Sequence, residues 1–370
     1  MIGRLRWFVY AAVLVAVLGA IAALSPLPDR VTDRGIYEQT AAYGIVRDCN
    51  DLHCFRALVA WTLGVVPAPS TLKWRAYAVV CNAVAAVLVM QLCLTFGLSR
   101  RAAWTASLMS ALGFGALYTL HDAFTSDPLM YALGPLMTNE LLQGRRAIAG
   151  AIGTVGVFAK EFAAAPLFLF AMYEAVERRW PSALRTLVAA NTAFIVWATF
   201  HLTMIIAFNY GYGGTTSNRF LSGGGLGPWL QEQSLRGILS AMFNEFGALY
   251  LLAPVGFVWA PRALRRLIAV AAPIALVLCY VQQPDRALWN FHFLVTPLAA
   301  VALDRAPVMV AALTVGAFAV ADLRVGAQLT FVPAARFALA ASVVLAVIVA
   351  VQAFKHREEY VVSDFSRTSA

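Results

Sequence analysis

The sequence predicts an all-α fold, a polytopic bundle of transmembrane helices with one or more interfacial helices in its first long loop. Three observations carry that prediction. Hydrophobic residues fill 61% of the 370 positions and charged residues only 13%, with a mean hydropathy of +0.72, which is too apolar for a soluble domain. Apolar runs near the roughly 20 residues that cross a bilayer recur along the whole chain. The arginines fall in small groups in the turns between these runs, as topology signals do. The net charge of +9 is therefore a membrane signature, and nucleic acid is excluded as a partner.

About twelve spans, in a range of ten to thirteen, can be drawn near residues 5–25, 75–97, 102–120, 128–143, 147–160, 162–177, 183–208, 240–260, 266–281, 288–303, 307–322 and 333–354. The first follows Arg4 and Arg6 and has no small-residue cleavage site before Pro26, so it reads as a retained anchor. Under this assignment Arg100 and Arg101, Arg145 and Arg146, Arg178 and Arg179, Arg262 to Arg266, Arg305 and Lys355 share one side. Both termini are then cytoplasmic, and loops 26–74 and 209–237 face outward, away from the cytoplasm. Residues 1–357 form one transmembrane domain, followed by a polar cytoplasmic tail over 358–370.

The first outer loop holds the strongest chemical signal. Residues 24–47, LSPLPDRVTDRGIYEQTAAYGIVR, place Asp29, Asp33, Arg34, Tyr37 and Glu38 beside a short helix at the membrane face. A carboxylate there can accept a proton or hold a divalent ion. The bland alternative makes Thr32 the N-cap and Asp33 an acidic residue at the helix start. Downstream, FRALVAWTLGVV over 55–66 is apolar on most faces, as expected of an interfacial or re-entrant helix stopped by Pro67 and Pro69. Cys49 and Cys54 share this loop, where an oxidising compartment permits a disulfide; with His53 they also make a weak zinc pattern.

Further ionisable residues gather at the outer span ends. His121, Asp122 and Asp127 flank one outer turn, where Asp127 before Pro128 reads as a helix cap. Lys160 and Glu161 interrupt an apolar run and require a partner, a cavity or a task. Arg286 and His292 stand near the tenth span with Asp285, Asn290 and Trp289, the last read as an interfacial belt residue. His201 and Glu245 have no assignment. The sequence contains no P-loop, no GxGxxG, no HExxH and no serine elbow.

Four motifs in order resemble the GT-C superfamily of integral-membrane glycosyltransferases. Asp33, Tyr37 and Ala41 match its first-loop acidic helix. CFRALVAWTLG looks like its FRxLxPWL segment, with Ala60 in place of proline. Asp127 with Pro128, and Lys160 with Glu161 and Pro166, match its outer turns. The likeness covers residues 1–180 and departs where Arg34 follows Asp33 instead of a second acidic residue.

The resemblance implies an inverting transfer of sugar from a polyprenyl-phosphate donor to a glycan, lipid or protein acceptor, in envelope glycan or glycolipid synthesis. Asp33 would be the base, and Lys160, Arg286 or His292 would stabilise the departing phosphate. Tyr37, Glu38, His121, Asp122, Asp127 and Glu161 complete the expected substrate site. If a divalent cation (Mg or Mn) takes part, Asp33 and Asp127 are its candidate ligands. A lipid-glycan transporter or flippase and a non-catalytic envelope-assembly protein are the competing readings.

Overall fold

The computed structural model describes residues 2–28, 33–212, 227, 231, 234–281, 284–333 and 335–367. Among these residues the regular elements are all helical. In chain order they are α1 (Ile2–Leu24), α2 (Arg34–Tyr43), a 3-10 turn (Leu52–Phe55), α3 (Ala57–Gly64), α4 (Ser70–Thr95), α5 (Arg100–Ala111), α6 (Phe114–His121), α7 (Asp127–Leu142) and α8 (Arg146–Gly156). A second 3-10 turn (Glu161–Ala164) leads to α9 (Ala165–Val176), α10 (Trp180–Phe208), α11 (Leu235–Phe246), α12 (Ala248–Trp259), α13 (Arg262–Val281), α14 (Pro284–Trp289), α15 (His292–Asp304), α16 (Val308–Val325) and α17 (Ala335–Arg367).

Six described helices are long and apolar enough to cross a membrane: α1, α4, α10, α13, α16 and α17. The chain is a multi-pass helical membrane protein. Several expected spans are instead pairs of short helices in series. The run 102–120 splits into α5 and α6, the run 240–260 into α11 and α12, and the run 288–303 into α14 and α15. Hydropathy does not register such breaks, because protein neighbours, not lipid, cover the interrupted backbone. At the other extreme α17 continues past residue 357, the expected end of the membrane domain, to Arg367.

The break between α5 and α6 lies against a buried indole. A Cβ at Gly113 would lie 2.0 Å from the Trp289 ring, and one at Gly115 would lie 1.9 Å from it. The two glycines form the seat for an indole that is 1% exposed. Trp289 is thus a core residue, which corrects its reading as part of an interfacial belt.

The core lies where α4 packs on α7 and α5, α12 on α15, and α10 on α8 and α9. Its basic turns meet at one end. Arg266 pairs with Glu177 and Arg146 with the fully buried Glu174. Arg101 donates to the carbonyls of Leu303 (3.0 Å) and Ala306 (2.6 Å), and Arg305 stacks on Trp259 at 4.8 Å. Those carbonyls belong to the last turn of α15 and its exit, where helices leave acceptors without intrahelical donors.

The opposite end carries the first loop. There α2 lies against α3 so closely that a Cβ on Gly64 would fall 2.3 Å from the carbonyl oxygen of Ala41. Since the neighbour is backbone, it cannot rotate away. Gly64→Ala should therefore displace α2 and cost about 1–3 kcal/mol, as overpacking does. A thermal unfolding scan in detergent should show a lowered midpoint; an unchanged midpoint would mean that α2 and α3 are not docked this way.

Candidate active site

Asp33 opens α2 as its N-cap, with φ −90° and ψ −15°, yet its side chain makes no capping bond. Thr32, the expected cap, lies outside the described residues. The Asp33 carboxylate instead faces an imidazole: its Oδ2 is 3.2 Å from His53 Nε2. The other ring nitrogen, His53 Nδ1, is 2.6 Å from Asp51 Oδ1. Asp51 also accepts from the backbone N–H of His53 at 2.8 Å, as N-cap of the first 3-10 turn. Burial pulls the Asp51 carboxyl upward, but its hydrogen bonds from His53 prevail and hold it below the usual carboxylate range.

The loop that carries Asp51 and His53 is closed by a disulfide between Cys49 and Cys54. Both sulfurs are consumed in that bond, so the weak zinc pattern has lost its thiolates. Behind His53 lies Tyr37, 1% exposed, its ring 5.8 Å from the imidazole and 5.3 Å from Trp74. Burial pushes the Tyr37 phenol up to about 12, against the pull of the nearby Arg56 guanidinium. Asp33 and Asp127 are also close enough for their charges to act on it, so this phenol sits at the centre of the group. Glu38 is taken by Arg34, whose Nε donates to it at 3.1 Å.

Two ion pairs form the next layer. Arg56 grips Glu161 with two parallel bonds, Nε to Oε2 at 3.1 Å and Nη2 to Oε1 at 2.6 Å, the fork geometry that makes such pairs strong. Glu161 raises the Arg56 guanidinium above its already high value despite burial. Lys160 donates to Asp127, and the two are 1% and 3% exposed. Asp127 is therefore not the cap of α7: Ser126 holds the N-cap position, and the carboxylate is turned to the ammonium.

A cavity of about 620 Å³ opens beside these pairs, between the second 3-10 turn, α9, α10 and α13. Its wall is apolar, with Phe162, Phe168, Trp197 and Leu278 among the lining, and its polar edge is Glu161, His201 and Tyr212. His201 Nδ1 is 2.8 Å from the Tyr212 hydroxyl. Phe55 stacks on both rings, at 4.3 Å from His201 and 4.9 Å from Tyr212. The residue before Arg56 thus ties the cavity rim to the ion pairs.

The other sequence candidates make separate contacts. His121 donates from Nδ1 to the Pro26 carbonyl at 2.6 Å, and Asp122 closes α6. His292 is 1% exposed, donates from Nδ1 to the Trp289 carbonyl at 3.0 Å and stacks on that indole at 5.4 Å. It is a packed core histidine. The backbone of Arg286 lies on α14, and its side chain is outside the described residues.

The described side chains do not fit a divalent cation. Asp127 is already neutralised by an ammonium that would repel a second cation, and Asp33 faces an imidazole. Among the described residues no three carboxylate, imidazole or thiol groups converge as metal ligands.

No family model matches the chain, and no curated protein does. Its backbone does match solved structures. One is ArnT from Cupriavidus metallidurans bound to undecaprenyl phosphate, with TM-score 0.52, 15% identity, and coverage of 94% of this chain and 75% of that one. The chain shares the fold of that protein, in keeping with the fold that the GT-C resemblance implies. An oligosaccharyltransferase from Archaeoglobus fulgidus tethered to an acceptor peptide is also similar, with TM-score 0.46, 14% identity, and coverage of 93% and 55%.

Within this fold the structure brings Asp33, Tyr37, Asp127, Lys160 and Glu161 to one end. It adds Arg56, Asp51, His53, His201 and Tyr212, none of which sequence reasoning named individually as a substrate-site residue. For Arg56 a signal existed, since it is the only charge in FRALVAWTLGVV. The buried Lys160–Asp127 pair yields a test of whether Lys160 is structural. Lys160→Met leaves a buried carboxylate without its cation, at about 3–5 kcal/mol. Lys160→Met with Asp127→Leu should recover most of the lost folded yield, read by size-exclusion profile and thermal midpoint. Failure of the double variant to recover would show that the pair does more than neutralise itself.

Proposed function

We propose that this protein is a membrane glycosyltransferase that takes its sugar from a polyprenyl-phosphate donor. The observation that carries the reading is the apolar cavity of about 620 Å³ whose polar rim, through Glu161, joins the charged first loop. Such a cavity suits an isoprenoid chain, which binds by burying apolar surface. The charged rim suits the phosphate and hydroxyl groups at its head. The similar ArnT structure holds undecaprenyl phosphate, a ligand of this chemistry.

In this reading Asp33 is the general base. It takes the proton of the acceptor hydroxyl as that oxygen bonds to the anomeric carbon, and the lipid phosphate leaves with the electron pair of the broken bond. Attack opposite the leaving group inverts the anomeric centre. Of the three cations nominated to meet the phosphate, Lys160 and His292 are committed to internal partners, so in this reading Arg286 is the candidate for that role.

The basic turns gathered at the other end support a cytoplasmic placement of that end and of both termini. The reaction then occurs at the outer face of the inner membrane, on a glycan, lipid or protein acceptor.

The test uses purified full-length protein in proteoliposomes with a panel of labelled undecaprenyl-phosphate sugars and bacterial membrane extract as the acceptor source. Native mass spectrometry of the purified protein should show a co-isolated polyprenyl phosphate. Asp33→Asn should fold and insert as the parent does but lose transfer by at least about 100-fold, the scale of a missing general base. Unchanged turnover in that variant would remove Asp33 from the reaction.

A further inference from the structure

The first loop holds a second layer behind Asp33 that the reading above does not use. His53 presents Nε2 to Asp33 Oδ2 at 3.2 Å and Nδ1 to Asp51 Oδ1 at 2.6 Å. Its ring is held at an angle by Tyr37, and its chain neighbour Cys54 is tied to Cys49. Four independent restraints thus converge on one imidazole. The three polar side chains are shielded but still reach water, with exposures of 16% for His53, 25% for Asp33 and 21% for Asp51.

A purely structural account covers part of this arrangement. As N-cap of the 3-10 turn, Asp51 is explained by its bond to the His53 backbone. That role does not require the imidazole to bridge from Asp51 to a carboxylate at the head of a different helix. Each ring nitrogen faces a carboxylate oxygen, so the imidazole is held from two sides. Its second partner fixes its orientation, as the outer carboxylate does for histidines in catalytic and metal sites.

We propose that His53, oriented by Asp51 and by the disulfide-closed loop, is the positioning residue for Asp33: it fixes the carboxylate's rotamer at the start of α2 and so aims it at the acceptor. This rests on the reading of Asp33 as base. The Asp33 side chain does not cap its own helix, and the loop's imidazole reaches it from outside that helix. Aim matters because a displacement of about 1 Å in a reacting group can cost about 100-fold in rate.

Two measurements on the full-length protein test it. The first needs no substrate. The chain has five histidines, so 15N-histidine NMR of the protein in lipid nanodiscs can assign the His53 ring by its loss in His53→Phe. Asp33→Asn and Asp51→Asn should each shift both ring nitrogens of His53; ring signals indifferent to Asp33→Asn would overturn the proposal. The second is turnover with the sugar donor found in the panel. His53→Phe should lower kcat about 10–100-fold, the usual effect of losing an outer-shell partner, with KM for the lipid donor unchanged. His53→Gln, which keeps an N–H at similar reach, should recover part of the rate. Full kcat in His53→Phe while Asp33→Asn is inactive would sink the positioning role and leave the base reading standing. Full turnover in Asp33→Asn would instead remove the base itself.

Discussion

A lysine ammonium and an aspartate carboxylate buried against each other set the geometry of this end of the bundle. Either charge alone would cost several kcal/mol to bury, whereas the pair is tolerable only in good mutual geometry. The start of α7 and the residues after α8 must therefore meet. To bring Lys160 to Asp127, α8 ends at Gly156, and the chain turns through a 3-10 segment before α9 begins at Ala165. The next residue, Glu161, then faces Arg56, whose backbone leads into α3. Since α3 is packed on α2, the position of Asp33 is linked to that buried pair.

Much of this was legible in the sequence, for physical reasons that differ by element. Composition and the grouping of arginines are global signals, and the helical membrane architecture with basic turns at one end follows from them. The Cys49–Cys54 bridge needed only proximity along the chain. That Lys160 and Glu161 needed partners was also readable, because charges in an apolar run cannot stand alone. Which partners they take was not. Asp127 lies 33 residues from Lys160 and Arg56 lies 105 from Glu161, and no local pattern encodes such pairings. The same limit applies to His292, read as a phosphate partner, and to Trp289, read as a belt residue: the glycine seat at the start of α6 that buries the indole is more than 170 positions earlier.

The two ends of the bundle use charge in opposite ways. At the basic end, arginines are spent on a helix C-terminus, on Glu174 and Glu177 and on a tryptophan face, contacts that close turns. At the other end, cations and carboxylates alternate around Tyr37 and border an apolar cavity. Broken helices belong with the second arrangement. A continuous helix satisfies its own backbone and presents only side chains, while the interrupted chain between α8 and α9 can carry a charged pair inward within one turn.

The position after Asp33 shows how local charge shapes the candidate chemistry. A second acidic residue there would place two negative charges side by side and call for an external cation. Here Arg34 occupies it, stacked over Phe124 at 4.5 Å and donating to Glu38. Its guanidinium is thereby directed along α2 and into the bundle. The partner offered to the Asp33 carboxylate is instead the His53 imidazole from the neighbouring loop. With Arg34, His53, Arg56 and Lys160 set among Asp33, Glu38, Glu161 and Asp127, each acidic group in this cluster has a basic one against it from the chain itself. Charge balance from within is what allows so many ionisable side chains to crowd one end of a bundle that is otherwise built from apolar helices.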